Sequence, residues 1–267
     1  MGKDLVEALK ECLPVVESKR GQFQGLARKL KASFAERDEV VDGMLAAALA
    51  GEHVLLLGPP GTAKSALARA FCGAFDKAAY FEWLLSKFSA PEELFGPISL
   101  EGLKADKYRR VTTGKLPEAH VVFLDEIFKS NSAILNSLLT AINERKFHNN
   151  GAPIQIPLRM VVGASNELPE GTELSALYDR FLVRYWVDYI DQAKAFGAML
   201  QAQESTVAPE MTLEDWDCAR EEVATVMVGA WVYDTLYQLR AALQAANVQV
   251  SDRRWKRCLK LLQATAW

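Results

Sequence analysis

Four short apolar runs stand out along the chain, each closed by glycine, proline, serine or an acid. They are "HVLLLG" at 53–58, "AYFEWLL" at 79–85, "HVVFLDE" at 120–126 and "LRMVVGAS" at 158–165. Short runs of this kind, apolar without alternation, suit strands buried on both faces. Between them apolar residues recur at helical spacing. "ERDEVVDGMLAAALA" at 36–50 reads as an amphipathic helix ended by Gly51, and "KSALARAFCGAF" at 64–75 and "NSAILNSLLTAINERKF" at 131–147 read as helices. Residues 4–31 have a helical period broken by Pro14 and Gly21.

Strands alternating with helices predict an α/β fold, a parallel sheet flanked by helices, with ligands gathered at the carboxyl ends of the strands. Beyond Asp188 the pattern changes. Segments 189–204, 212–226, 229–246 and 251–265 look helical, with "STVAPEM" as a loop among them. The expected division is an α/β core at 1–188, with 1–33 as an N-terminal helical segment, and a small all-α domain at 189–267. The helical pattern still runs at Trp267, which points to a piece of a longer protein.

Composition narrows the classes. Half of the 267 residues are hydrophobic and 24% are charged, as in a globular protein. A net charge of −3 supplies no general basic field for nucleic acid. No apolar run reaches the roughly 18 residues of a membrane span, and the N-terminus carries acids rather than a signal-peptide pattern. Cys12, Cys72, Cys218 and Cys258 are scattered, so reduced thiols in a cytoplasmic protein are expected. His53, His120 and His148 share no ligand spacing, and no metal–histidine site is read from them.

The candidate chemistry begins at "GPPGTAKS". Gly58, Pro59, Pro60, Gly61, Thr62, Ala63, Lys64, Ser65 and Ala66 join the first apolar run to a helix. Such a loop offers backbone N–H groups and a helix dipole to phosphates. Lys64 would reach the β and γ phosphates of ATP, and the Ser65 hydroxyl would ligate Mg2+. The general phosphate-loop pattern has glycine where Ala63 stands. A positive φ there costs alanine about 1 kcal/mol or more, and a first helical turn costs it nothing. At the end of "VVFLDE", Asp125 would hold the magnesium and Glu126 would polarise the attacking water.

With "GASNE" and "LYDRF" added, the chain resembles an AAA+ ATPase of the MoxR group, and within it the RavA type. The likeness covers roughly residues 35–188, with "VSDRRWKR" extending it. MoxR-type loops commonly carry alanine before the lysine. The resemblance implies a P-loop core, a helical lid, ATP/ADP and Mg2+ as cofactors, and a homo-oligomeric, hexameric ring. It further implies a von Willebrand factor A-domain partner and a protein substrate that the sequence does not name. Asn166 matches sensor 1 and Arg180 the arginine finger, with Arg184 close enough to compete for that role. Arg253, preferred over Arg254, matches sensor 2 in the lid. The adenine is expected near Phe34 to Arg37.

Two insertions are readable. "LFGPISLEGLKADKYRRVTTGKLPEA" is locally basic through Lys104, Lys107, Arg109 and Arg110, with Tyr108 among them. In "KFHNNGAPIQI", Asn150-Gly151 signals a two-residue hairpin that Pro153 confines to an edge. The expected function is a ring-forming ATPase that remodels proteins. The alternatives are a nucleic-acid-stimulated motor, against which the acidic charge weighs, and a nucleotide-dependent scaffold without turnover.

Overall fold

A computed structural model of the chain describes residues 18–201 and 208–267. The expected sheet forms, with one strand more. Strands β1 (Val54–Leu57), β2 (Tyr80–Leu84), β3 (Val121–Asp125), β6 (Met160–Ser165) and β7 (Val183–Trp186) make a parallel sheet in the order β2-β3-β6-β1-β7. Strand β7 escapes the search for apolar runs because it is short and interrupted by a charge: in "VRYW" only Val183 is buried, Arg184 follows it and Trp186 is exposed.

Helices cover both faces. Along β1, Val54 and Leu56 join one apolar cluster while Leu55 and Leu57 join the other, and β3 divides its residues in the same way. That two-sided burial is the physical reason the inner strands read as unbroken apolar runs. One face is covered by α1 (Lys19–Ser33), α2 (Asp38–Ala50) and α3 (Lys64–Gly73). The other carries α4 (Pro91–Phe95), α6 (Ser132–Glu144) and α7 (Thr172–Tyr178), while α5 (Leu100–Lys104) lies in the first insertion with Leu100 and Leu103 exposed.

Gly21 does not break the first helix, contrary to the sequence reading. It lies in the first turn of α1, where its N–H donates to the Ser18 side chain that caps the helix. Pro14 and Cys12 lie outside the described residues. The predicted hairpin is present: β4 (Lys146–Asn149) and β5 (Ala152–Gln155) pair antiparallel, Asn149 opposite Ala152. Asn150 and Gly151 both take positive φ (54° and 76°), as a two-residue turn of this hand requires. The Asn149 side chain bonds the backbone of Arg110, tying this ribbon to the first insertion.

After Trp186 every described element is a helix: α8 (Ala193–Gln201), α9 (Leu213–Ala224), α10 (Ala230–Ala245) and α11 (Asp252–Ala266). Helix α9 is docked on the sheet's core. Its Trp216 is fully buried, stacks on Phe75 at 4.6 Å and donates its indole N–H to the Ala48 carbonyl. No described helix is long and apolar enough to cross a membrane. Among the described cysteines, Cys72, Cys218 and Cys258 are free thiols.

Candidate functional site

The carboxyl ends of β1, β6 and β3 lie side by side, and each carries a predicted residue. Gly58 follows β1, Asn166 follows β6, and Asp125 and Glu126 close β3. Neighbouring strands are about 4.8 Å apart, so the phosphate loop and the acidic pair flank Asn166 across about 10 Å. The Gly58 N–H donates to the Ser165 carbonyl, which locks the loop to the strand that delivers Asn166. Asn166 itself is exposed.

The loop is tightly folded. Gly58 has φ +139°, and a Cβ there would lie 2.1 Å from the Val187 carbonyl oxygen, so only glycine fits. The Thr62 hydroxyl donates to the Pro59 carbonyl. Lys64 opens α3 and is buried; its ammonium donates to the carbonyls of Gly58 (3.0 Å) and Pro59 (2.7 Å) and to the Thr62 hydroxyl (3.2 Å). Burial lowers the Lys64 pKa, and the charge of Arg37 acts the same way, while Asp125 and Glu126 oppose it. Those couplings bring loop, acids and Arg37 into one electrostatic neighbourhood. Ser65 is half-buried in the first turn of α3, while Pro60, Gly61, Ala63 and Ala66 are exposed.

Ala63 takes φ +63°, ψ 22°, a left-handed conformation. The position does demand a positive φ, and alanine there is strained by about 1–2 kcal/mol. Glu126 (φ +51°) and Glu36 (φ +56°) share that conformation. Of the eight such non-glycine residues described, these three gather at the phosphate-loop end of the sheet, where strain is often tied to function. The Asp125 carboxylate accepts the Glu126 N–H, and the Glu126 carboxylate faces Lys129 at 3.3 Å. A hydroxyl at Ser65 and a carboxylate at Asp125 are hard oxygen donors, the set that suits Mg2+ beside phosphates.

Arg180 and Arg253 are elsewhere. The Arg257 guanidinium pairs with Glu52 at 3.3 Å and donates to the Arg180 carbonyl. Glu52 precedes β1 and Gly58 follows it, a strand length of roughly 20 Å. Arg253 acts electrostatically on Arg180 and lines a cavity of about 300 Å³ with Glu52, Arg145, Lys256, Arg257 and Lys260. The structure therefore does not bring Arg180 or Arg253 to the Lys64 loop of the same chain. Both stand at the opposite end of the sheet. Arg254 faces Asp179 at 3.8 Å, and Asp179 also faces Arg180 at 3.6 Å. The Arg180 Nε is buried and makes no hydrogen bond among the described residues. Arg184 is committed locally: its guanidinium lies 3.5 Å over the Tyr178 ring and donates to the Phe181 and Tyr178 carbonyls.

Sequence reasoning named the neighbourhood of Arg37 but gave its side chain no role. Arg37 is buried, donates to the Asp188 carbonyl at 2.6 Å and to the Glu36 carbonyl at 2.9 Å, and leaves its buried Nε without a partner. The charge next to the loop "AERD" was the only signal of it.

Residues 21–226 match a family model described as the MoxR domain in MoxR-vWA-beta-propeller ternary systems. Residues 231–267 match an AAA lid domain. Two uncharacterized proteins of Methanocaldococcus jannaschii are each 39% identical to the chain over 92% of its length. The chain spans 66% and 65% of their lengths. A structural protein of Acidianus two-tailed virus is 30% identical over 75% of the chain and 36% of its own length. Among solved structures, a candidate ATPase from Cytophaga hutchinsonii superposes with a TM-score of 0.75 at 15% identity, covering 93% of this chain and 81% of that one. At that identity the likeness speaks to the fold alone.

Proposed function

The chain belongs to the MoxR family of AAA+ ATPases, and from that premise we propose that it hydrolyses ATP in a homo-oligomeric, hexameric ring and remodels partner proteins. The observation that carries the reading is the convergence of Lys64, the Asp125–Glu126 pair and Asn166 on three adjacent strand ends.

In this reading the loop from Gly58 to Ala66 binds the phosphates of ATP or ADP through its N–H groups, and Lys64 exchanges its loop carbonyls for phosphate oxygens. Ser65 and Asp125 hold Mg2+, which when bound neutralises charge on the phosphates. Glu126 accepts a proton from the attacking water, or orients it, and the Asn166 amide holds that water in line. Arg180 and Arg253, roughly 20 Å from their own loop, serve the site of an adjacent copy, where a guanidinium stabilises the transferring phosphoryl group. The placement of Arg184 over Tyr178 favours Arg180 as the finger.

The core is 1–188 and the lid 189–267, with α9 as the seam held by Trp216. The description of the matching family favours a von Willebrand factor A-domain partner and a β-propeller component. The RavA-type likeness stays a finer reading within the family, and a cytoplasmic setting goes with it. The test is the steady-state ATPase rate against protein concentration, with Lys64→Ala as the blank. A specific rate that climbs with concentration and vanishes in the variant supports the proposal. Bound ATP without turnover at any concentration supports the scaffold reading instead.

A further inference from the structure

We infer that Arg37 is a nucleotide-binding residue, its unpartnered Nε–H donating to a phosphate oxygen of the nucleotide while the rest of its guanidinium clamps the segment that leads into the following helices. The inference rests on the nucleotide reading above.

Arg37 is 8% exposed, and two of its nitrogens are spent on the carbonyls of Glu36 and Asp188. The third, Nε, is buried without a hydrogen bond. A buried donor on a charged group left unmade is costly, and such orphans call for a partner. The orphan lies where an anion is expected. Val187, beside the carbonyl that Arg37 holds, donates its N–H to Leu57 and presses its own carbonyl against Gly58, the first residue of the phosphate loop. The Arg37 charge acts on the Lys64 ammonium, so the two cations lie within electrostatic reach of one another. Two buried like charges are unfavourable alone and favourable around a polyanion. The base edge of a nucleotide would relieve the missing hydrogen bond but not the repulsion, which is why phosphate is the class assigned.

The same turn grips the chain beyond the sheet. Glu36, at φ +56°, accepts the N–H groups of Asp191 (3.0 Å) and Gln192 (2.8 Å). Adjacent residues Glu36 and Arg37 thus hold 188, 191 and 192, the whole strap between β7 and α8. A phosphate bound at Nε would tighten that strap, linking occupancy of the loop to the placement of the helices that follow.

The experiment is calorimetric titration of ADP into the full chain and its Arg37→Gln and Arg37→Lys variants, with ligand-free melting temperatures measured alongside. Lysine keeps the charge and a donor for the Asp188 carbonyl but has no Nε–H at that position. Expected are a loss of ADP affinity of tenfold or more in both variants, the size of one charge-assisted hydrogen bond, and a near-native melting temperature for Arg37→Lys. Wild-type affinity in both variants overturns the assignment and leaves the nucleotide site standing. Recovery of affinity by lysine overturns it too, because a mere structural clamp behaves that way. Failure of the wild-type chain to bind ADP overturns this inference together with the reading on which it rests.

Discussion

The Lys64 ammonium lies 2.7 Å from the Pro59 carbonyl oxygen, so the phosphate loop is closed on its own lysine. Three loop acceptors hold that charge, and nucleotide phosphates must displace them. Lys64→Met removes both roles at once. We expect ATP turnover to vanish and the ligand-free melting temperature to fall by about 2–4 °C, for a net loss of about 1 kcal/mol. Turnover lost with an unchanged melting curve would show that the loop contacts contribute nothing to stability.

Ala63 offers a stabilising change at the same loop. Its left-handed backbone costs about 1–2 kcal/mol, and glycine would remove that cost while adding about 0.4–1 kcal/mol of unfolded-state entropy. Ala63→Gly should therefore raise stability by about 0.5 kcal/mol in urea denaturation and keep ATPase activity. A drop in stability would mean that the alanine methyl makes a contact worth more than the strain.

His53 sets a pH dependence. It is buried, its Nδ1 accepts the Val161 N–H at 2.9 Å, and its other nitrogen lies 3.1 Å from the Ile142 carbonyl oxygen. Burial first, and the charge of Arg145 second, hold its pKa well below the usual value. A depressed folded pKa means that stability is fully present above the unfolded value of about 6.5 and falls as pH drops below it. Between pH 7.5 and 5.5 the unfolding free energy should fall by about 1.4 kcal/mol from this group. His53→Gln should keep only the part due to His120, whose pKa burial also lowers. An identical slope in the variant would contradict the assignment.

Arg184 and Arg180 should separate cleanly. Arg184→Ala strips the Tyr178 ring of its cation and two carbonyls of their donor, and should cost about 2–3 kcal/mol in urea denaturation. Arg180→Ala should cost less than about 1 kcal/mol and abolish turnover with ATP binding intact. The reverse pattern would move the finger to Arg184.

The inner strands and the site loops were legible in the sequence for one reason: their chemistry leaves little choice of residue. A strand buried on both faces must be apolar throughout, and a phosphate cradle must combine Gly58, Gly61 and Lys64. Features set by distant parts of the chain were not legible. The edge strand β7 holds Arg184 and an exposed Trp186 among its four residues and hides among loops. The arginine in "ERDEVV" looks like a solvated charge at a helix start, and becomes a buried clamp only when Asp188 arrives from 151 positions away. The station of Arg253 depends on Arg257 docking against Glu52, which no local pattern announces. The conformation of Ala63 stayed open between two readings until the backbone decided it.

The central claim is that the site is completed between copies, and mixing two inactive variants tests it most directly. Glu126→Gln lacks the group that activates water but keeps Arg180. Arg180→Ala keeps a whole phosphate site but lacks the finger. If Arg180 serves a neighbouring copy, each variant is inactive alone and an equimolar mixture regains a measurable fraction of wild-type ATPase activity. A mixture as inactive as its components, in rings shown to contain both, would contradict the account and return Arg180 to a structural role beside Asp179.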